Sequence, residues 1–225
     1  MRWQLLILAV AACSASTEGS TEPPRVDAAP PGTGGSPDYV RYRGTLATTA
    51  SMAFGGDPYC NYSVALKSVE IDLVLRTTDE LSAMAIEDTM TESIVGTCPY
   101  EPSPPNRQQF THDNGRAVPV NGDGKAEPLL SGIASNQPMT AATAVVTVAR
   151  DGLVQATARW ERTDQGPPLK WIISTPSPVM LQRSTCTPGG SICVGGSLYS
   201  CVDGMQMLAT SICTAGCAAS KTACN

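Results

Sequence analysis

Residues 146–160 read VTVARDGLVQATARW, and this stretch decides the fold class. Apolar side chains occupy every second position on both sides of the dipeptide Asp151-Gly152, and the second run ends at Trp160. A period of two is the spacing of a strand with one buried face, and Asp-Gly between two such runs is a strong signal for a tight turn. The stretch therefore predicts an antiparallel β-hairpin that turns Trp160 towards the core.

The same period appears in earlier parts of the chain. Between residues 40 and 54 apolar side chains share one face, and Arg41 and Arg43 fall on the other. Between residues 69 and 76 apolar side chains alternate with charged ones, which are Glu70, Asp72 and Arg76. The phase slips at Lys67-Ser68, and such a slip predicts a β-bulge.

Two further segments complete the predicted strands. The residue types between Glu80 and Glu92 favour a helix, but Met84 and Ile86 also fit an antiparallel strand, and we predict the strand. A later alternating run is centred on Trp171. Roughly seven or eight short strands joined by turns form an antiparallel meander, which buries one face either as a β-sandwich or as a β-barrel. The sequence does not separate these two architectures.

Composition divides the 225 residues into four segments. Residues 1–12 carry one positive charge followed by an apolar run too short to span a bilayer, which is typical of a signal peptide. Residues 13–37 hold mostly small and polar side chains and predict a disordered tether. Residues 38–182 carry the strand pattern of an antiparallel β domain. Residues 183–225 form a separate cysteine-rich module.

The chain has nine cysteines, and their positions predict disulfides. Cys60 and Cys98 lie alone inside the β domain and flank two central strands, so we expect them to pair. A redox-active pair is disfavoured because the Cys-x-x-Cys spacing is absent. The C-terminal module is too small to bury an adequate core without disulfides, and its connectivity stays open. Its six cysteines are Cys186, Cys193, Cys201, Cys213, Cys217 and Cys224.

The spacing within this module also bears on its family and on metal binding. The segments Cys186-Thr187-Pro188-Gly189 and Cys201-Val202-Asp203-Gly204 resemble small cysteine-rich repeats of bacterial surface proteins. Zinc sites need closely spaced ligand pairs, and in this module only Cys213 and Cys217 are so spaced, with no histidine beside them. We therefore expect disulfides, with no metal and no cofactor.

The segment Val10-Ala11-Ala12-Cys13 resembles the lipobox of bacterial lipoproteins. The resemblance implies that Cys13 becomes lipidated and, after cleavage, begins the mature protein. Removing Cys13 from the count leaves eight cysteines, an even number that suits pairing in an oxidising compartment. Ser14 in place of an aspartate implies the outer membrane of the cell envelope. The alternative is an ordinary secretory signal cut near Ala12 or Ala15, which gives a secreted protein.

The residues that acid–base chemistry needs are sparse. The one histidine, His112, precedes Asp-Asn-Gly and predicts a surface turn. Neither the nucleophile elbow of hydrolases nor a Ser-x-x-Lys pair accompanies it. The candidate carboxylate pairs are Glu87 with Asp88 and Glu161 with Asp164, and a solvated strand face explains both. The segment 121–124, Asn-Gly-Asp-Gly, lacks the order of a calcium loop and predicts a turn. We therefore do not expect an enzyme.

The remaining composition limits the partners. Fifteen basic residues are scattered without clusters, which excludes a nucleic-acid surface. Trp160 and Trp171 fall on the inward phase and predict core positions, while Tyr59, Tyr62 and Tyr199 are candidate surface contacts for a glycan or a surface protein. We expect a membrane-anchored protein with a non-catalytic binding, adhesion or envelope-structural role. The alternatives are a secreted enzyme or inhibitor and a barrel that holds a small apolar ligand among Phe54, Trp160 and Trp171.

Overall fold

The computed structural model of the chain describes residues 38–54, 61–77, 79–95, 106–112, 116–133, 141–163 and 170–225. Within these ranges, no helix is long and apolar enough to span a membrane. All the regular secondary structure in these ranges is β, and strands are numbered in chain order. They are β1 Tyr39–Thr45, β2 Thr49–Phe54, β3 Asn61–Arg76, β4 Glu80–Val95, β5 Asn106–His112, β6 Val118–Pro119, β7 Lys125–Ala126, β8 Leu129–Ile133, β9 Ala141–Val148, β10 Val154–Thr163, β11 Lys170–Ser174, β12 Val179–Arg183, β13 Ser191–Val194, β14 Ser197–Cys201 and β15 Gln206–Ile212.

The antiparallel pairings close into a ring. From β1 they pass through β3, β4, β5, β8, β9 and β10 to β12, and β12 pairs with β1 again. Strand β12 pairs with the first part of β10, and β11 pairs with the second part. Strand β2 then pairs with β11, so β11 and β2 extend the sheet on the same side of β10 as β12. The sheet is thus closed, as in a barrel, and side chains of its opposite walls pack against each other in two layers, as in a sandwich.

The inner face of this closed sheet forms the main hydrophobic core. Trp160 is 1% exposed and its ring lies 5.9 Å from that of Phe110, measured between centroids. Trp171 is also buried, so both tryptophans occupy the predicted core positions. Alanines line much of the inner face of β9 and β10.

Three local predictions from the sequence are confirmed. The hairpin of β9 and β10 turns at Gly152, whose φ of 83° lies in the left-handed region that glycine tolerates best. The register of β3 and β4 shifts between Leu66 and Ser68, where the sequence predicts a bulge. The segment from Glu80 is strand β4 and not a helix.

The C-terminal module covers the outer face of β3 and β4. Its three strands form a small antiparallel sheet that continues from β1, since Tyr39 pairs with Met207. A second hydrophobic cluster forms between the module and that face, and its members are Val74, Ala83, Val194, Tyr199 and Met207. The middle of β3 is consequently buried on both sides.

Tyr199 stands at the centre of this second cluster and is fully buried, so its prediction as a surface contact is wrong. Its hydroxyl shares a hydrogen bond of 2.8 Å with the hydroxyl of Ser82 on β4, and its ring packs 5.5 Å from that of Tyr39. Burial raises the pKa of the Tyr199 hydroxyl well above its ordinary value. The phenol therefore stays neutral and acts as a hydrogen-bonding core residue.

Two charged side chains on the outer face of β1 and β3 are buried, although the alternating pattern is typical of a face exposed to solvent. Arg41 and Asp72 do lie on the outer face, as predicted, but both are buried. The Arg41 guanidinium donates two hydrogen bonds to the Asp72 carboxylate, at 2.8 and 2.5 Å. Paired geometry of this kind offsets the cost of removing both charges from water. The sequence pattern gives the face correctly but does not show what covers it.

Three disulfides hold the module together. They join Cys186 to Cys201, Cys193 to Cys217 and Cys213 to Cys224, across 15, 24 and 11 positions of the chain. In the chain-entropy model, each closure of this length stabilises the folded state by about 3 kcal/mol. The predicted disulfide-rich character of the module is confirmed. Cys60, Cys98 and Cys13 lie outside the described residues, and their roles stay predictions.

Gly195 provides a test of the contact between the module and β4. Its φ is +57°, and a Cβ at this position would lie 2.6 Å from the backbone oxygen of Met84. We expect Gly195→Ala to lower the free energy of unfolding by roughly 2–4 kcal/mol, because backbone strain and overpacking add. The measurement is urea unfolding with the disulfides intact.

Gly189→Ala is the matched control for this substitution. Gly189 also has a positive φ, of +76°, but a Cβ there would meet nothing within 4 Å. We expect this variant to lose only about 1–2 kcal/mol, which is the cost of the backbone conformation alone. Equal losses in the two variants would contradict the close approach of the module to β4.

Candidate functional site

A cluster of polar side chains lies inside the closed sheet, where the sequence predicts only apolar ones. Asp88 is on the inward phase of β4, opposite Val69 of β3 and Gln108 of β5, and it is fully buried. Arg162 is on the inward phase of β10, two residues beyond Trp160, and is 3% exposed. Since β4 and β10 belong to opposite walls, these side chains meet across the interior.

The contacts within this interior cluster are short and directional. Arg162 Nη1 lies 2.8 Å from Asp88 Oδ1, and the indole N–H of Trp160 donates to Asp88 Oδ2 at 2.6 Å. The backbone N–H of Gln108 donates a further hydrogen bond to the same carboxylate. Asp88 therefore receives donors from both neighbouring and opposite strands. Such a carboxylate fixes the separation of the two walls.

Burial and hydrogen-bond pairing shift the pKa of the Asp88 carboxyl in opposite directions. Loss of water raises the pKa of the Asp88 carboxyl above its ordinary value of 3.8, although Arg162, Trp160 and the Gln108 N–H each lower it. Burial has the larger effect, so the pKa is raised overall. The carboxyl takes up a proton more readily in the folded chain than in the unfolded one.

Trp171 carries the one indole in the described interior that has no acceptor. The residue is 4% exposed and lies opposite Arg162 in the pairing of β10 with β11. Its Nε1 is buried and, among the residues the structure describes, nothing accepts its hydrogen. A buried donor of this kind is uncommon, because buried N–H groups are nearly always bonded.

His112 is not the surface turn residue that the sequence predicts. It ends strand β5, pairs with Leu130 of β8 and is 2% exposed. It shares the inward phase of Gln108 and Phe110. Four strand positions separate it from Gln108, so it lies roughly 13 Å along the strand from the level of Asp88. The prediction was wrong because the residues directly after His112 are typical of a turn, and His112 was assigned to that turn although it is the last residue of the strand.

The candidate carboxylate pairs are not assembled as acid–base sites within the described residues. Glu87 points to the face opposite Asp88 and forms an ion pair with Lys221 of the module at 3.2 Å. Glu161 lies on the outer surface, 2.6 Å from the Lys170 ammonium. Asp164, Tyr59 and the side chains of Phe54 and Tyr62 lie outside the described residues.

The segment 121–124 forms the predicted turn. The side-chain oxygen of Asn121 accepts hydrogen bonds from the backbone N–H groups of Asp123 and Lys125, each at 3.0 Å. Gly124 has a φ of 76°, as this turn requires. Among the described residues no group of three or more metal-ligating side chains was found.

A shallow groove lies on the outer surface of β9 and β10. Its volume is about 320 Å³, and its rim includes Thr143, Thr157, Arg159 and Thr175. The rim carries three threonine hydroxyls and one guanidinium group. Two of these hydroxyls already make hydrogen bonds, because Thr143 Oγ1 donates to the backbone oxygen of Arg159 at 3.5 Å and Thr175 Oγ1 accepts from the backbone N–H of Ala158 at 3.0 Å.

Sequence reasoning missed Arg162, Gln108 and the pairing of Asp88. One signal was present, because Arg162 continues the inward period that runs from Val154 to Trp160. A search for alternating apolar residues does not assign a charged residue such as Arg162 to the buried face, because the charge ends the apolar run. The partner on β4 is 74 positions away, and no local pattern connects the two.

No family model, curated protein or solved structure matches this chain.

The contribution of the Asp88–Arg162 ion pair to the free energy of unfolding can be tested by substitution. In Arg162→Met the Asp88 carboxylate loses its charged partner, and we expect the free energy of unfolding near pH 7 to fall by about 3–5 kcal/mol. The double variant Asp88→Leu with Arg162→Met removes both charges, and we expect it to recover only part of that loss, because the Trp160 N–H then lacks its acceptor. Lys170→Ala, which breaks an exposed ion pair, is the control and costs at most about 1 kcal/mol.

The pH dependence of the Arg162→Met variant has a definite sign. Without Arg162 the folded-state pKa of Asp88 rises further, because burial is no longer opposed by that charge. Stability contributed by a raised carboxyl pKa is complete below the unfolded value and is lost as the pH rises through the folded one. The deficit against the parent protein should therefore be small near pH 4 and grow towards pH 7. A deficit independent of pH would contradict the pairing.

Proposed function

We propose that this chain is an exported protein, anchored in the cell envelope by a lipid on Cys13, with a non-catalytic binding or envelope-structural role. The proposal that the protein is exported is supported by the three disulfides in the module. Disulfides of this kind persist in oxidising compartments, whereas cytosolic thiols are kept reduced. Residues 1–37 then supply the leader, the lipidated cysteine and the tether.

The anchor and the folded part complement each other in this proposal. The tether enters β1 at Tyr39, and β1 also carries the module through its pairing with β15. The module therefore joins the sheet at the end from which the chain leads to the membrane. We propose the outer membrane as the location, because Ser14 follows the lipidated cysteine, and we propose a surface protein or glycan as partner. A secreted form is the alternative.

The non-catalytic role is supported by how the charged side chains are used. Asp88 is held by Arg162 and Trp160, while Glu87 and Glu161 each face a lysine on separate surfaces. An enzyme using Glu87, His112 or Glu161 would need these groups to converge in one cleft. The strands direct the three to different faces. A secreted enzyme or inhibitor is accordingly the weaker alternative.

The anchor is tested by expressing the full chain in a bacterial host. We expect the membrane fraction to contain a product whose mass equals residues 13–225 plus acyl chains, and Cys13→Ala to lose both the lipid mass and the membrane association. Ser14→Ala is the matched control, since it should keep both. A soluble, unlipidated product from the parent and the Cys13→Ala chain alike would contradict the anchor and favour the secreted alternative.

A further inference from the structure

Four of the six module cysteines form one compact group of sulfur atoms. They are Cys193, Cys213, Cys217 and Cys224, and they make two disulfides, Cys193–Cys217 and Cys213–Cys224. The Sγ atoms of Cys193 and Cys213 belong to different disulfides, yet they lie only 3.4 Å apart. The two bonds therefore approach each other through one sulfur of each.

The other two cysteines of the group also face each other. Cys217 and Cys224 form an isolated antiparallel bridge. Backbone hydrogen bonds flank this bridge on both sides, from the N–H of Asn225 to the oxygen of Gly216 and from the N–H of Ala218 to the oxygen of Ala223. This pattern defines a non-hydrogen-bonded pair, whose Cα atoms lie about 4.5 Å apart. Disulfides span Cα separations of about 4.4–6.8 Å, so Cys217 and Cys224 are placed for a direct bond although each is bonded elsewhere.

The same four sulfurs therefore fit two pairings, and the second consists of Cys193–Cys213 and Cys217–Cys224. Loop length scarcely favours one over the other. Cys193 reaches Cys217 across 24 positions of the chain and Cys213 across 20. The entropy of closing a loop changes slowly with its length, so this difference is small.

Access from solvent differs within the group. Cys193 and Cys213 are buried, at 2% and 4% exposure, whereas Cys217 and Cys224 are half-buried. An external thiol therefore meets the Cys217 and Cys224 ends of the two bonds. The sulfur contact at 3.4 Å lies at their buried ends.

We propose that this group is a disulfide-exchange site at which a small thiol converts the two bonds into Cys193–Cys213 and Cys217–Cys224. The thiolate attacks Cys224 Sγ, forms a mixed disulfide and releases the Cys213 thiolate. Cys213 Sγ then attacks Cys193 Sγ and releases the Cys217 thiolate. Finally, Cys217 Sγ attacks Cys224 Sγ and expels the small thiol. Two disulfides exist before and after, so the thiol acts as a catalyst and nothing is oxidised or reduced overall.

The exchange changes how the C-terminal segment 214–225 is held. In the described pairing the bond from Cys217 to Cys193 ties this segment to β13. In the second pairing Cys217 bonds within the segment, so its link to β13 is no longer covalent. The N–H of Cys193 still donates to the Lys221 oxygen at 2.8 Å, and Lys221 still pairs with Glu87 of β4 at 3.2 Å. A small thiol thus loosens the part of the module that contacts Glu87. This inference goes beyond the proposed anchor and binding role and depends on neither.

Two single variants of the full chain test the internal steps separately. Cys224→Ser leaves Cys213 as a free thiol beside the Cys193–Cys217 bond, and Cys193→Ser leaves Cys217 as a free thiol beside the Cys213–Cys224 bond. Each variant is incubated at mildly alkaline pH, where thiolates form, and is then trapped with N-ethylmaleimide in acidic denaturant, which exposes buried thiols. After reduction, mass spectrometry locates the labelled cysteine, and labelling of the parent chain sets the background.

We expect the label to be shared between Cys213 and Cys217 in both variants. The two amounts should lie within about tenfold of each other, because loop closure scarcely separates the pairings. Cys201→Ser is the matched control, since it frees Cys186 outside the group, and its label should stay on Cys186. Thermal unfolding of each variant establishes that it is folded.

The parent chain tests the complete reaction. Reduced glutathione is added in substoichiometric amount at the same pH, and the protein is cut after Lys221 without reduction. Fragmentation between Cys213 and Cys217 in the mass spectrometer then locates the bond to Cys224. We expect the fraction of Cys224 bonded to Cys217 to grow with time to a constant value when glutathione is present.

Two results would overturn the proposal. The first is a label confined to Cys213 in folded Cys224→Ser, or to Cys217 in folded Cys193→Ser, because an internal step then does not occur. The second is a parent chain whose Cys224 stays bonded to Cys213 throughout the incubation with glutathione. If either variant does not fold, the measurement on the parent chain decides.

Discussion

The structure depends on the burial of β3 and β4 on both faces. Their inner face carries Ile71, Leu73 and Ile86 into the main core, and their outer face packs Val74 and Ala83 against the C-terminal module. A strand in an ordinary antiparallel sheet buries one face and leaves the other in water. Here the module supplies the second cover, and its own apolar residues pack against that surface in one shared cluster. The disulfides keep the cover folded, while Tyr199 and Gly195 let it fit closely on β4.

Much of this fold follows from local sequence, and the exceptions share one physical cause. The turn at Asp151-Gly152, the bulge near Ser68 and the strand from Glu80 are set by neighbouring residues, and all three are confirmed. Asp72 is buried, although a strand with one solvent-facing side suggests exposure, because its partner Arg41 lies on another strand. Tyr199 is buried, although a loop-rich module suggests exposure, because it packs on β4, where its partner Ser82 lies more than a hundred positions away. Period two assigns a side chain to a face. It does not say whether that face meets water.

The interior polar cluster illustrates the same limit for the candidate site. Asp88, Gln108 and Arg162 interrupt apolar phases, and hydrophobic patterning treats them as the ends of runs. Their meaning emerges only when β4 and β10 face each other, since the carboxylate then receives donors from both walls. The ion pair then links the two walls across the interior.

We infer that the closed sheet and the module unfold as one cooperative unit. Hydrogen exchange measured by mass spectrometry, with the disulfides intact, compares the opening free energy of peptides from β4 with those from β14 and β15. We expect both sets to exchange with the same opening free energy and to respond equally to urea, because neither buries its surface without the other. A module that opens at much lower free energy, while β4 keeps its full protection, would contradict the claim.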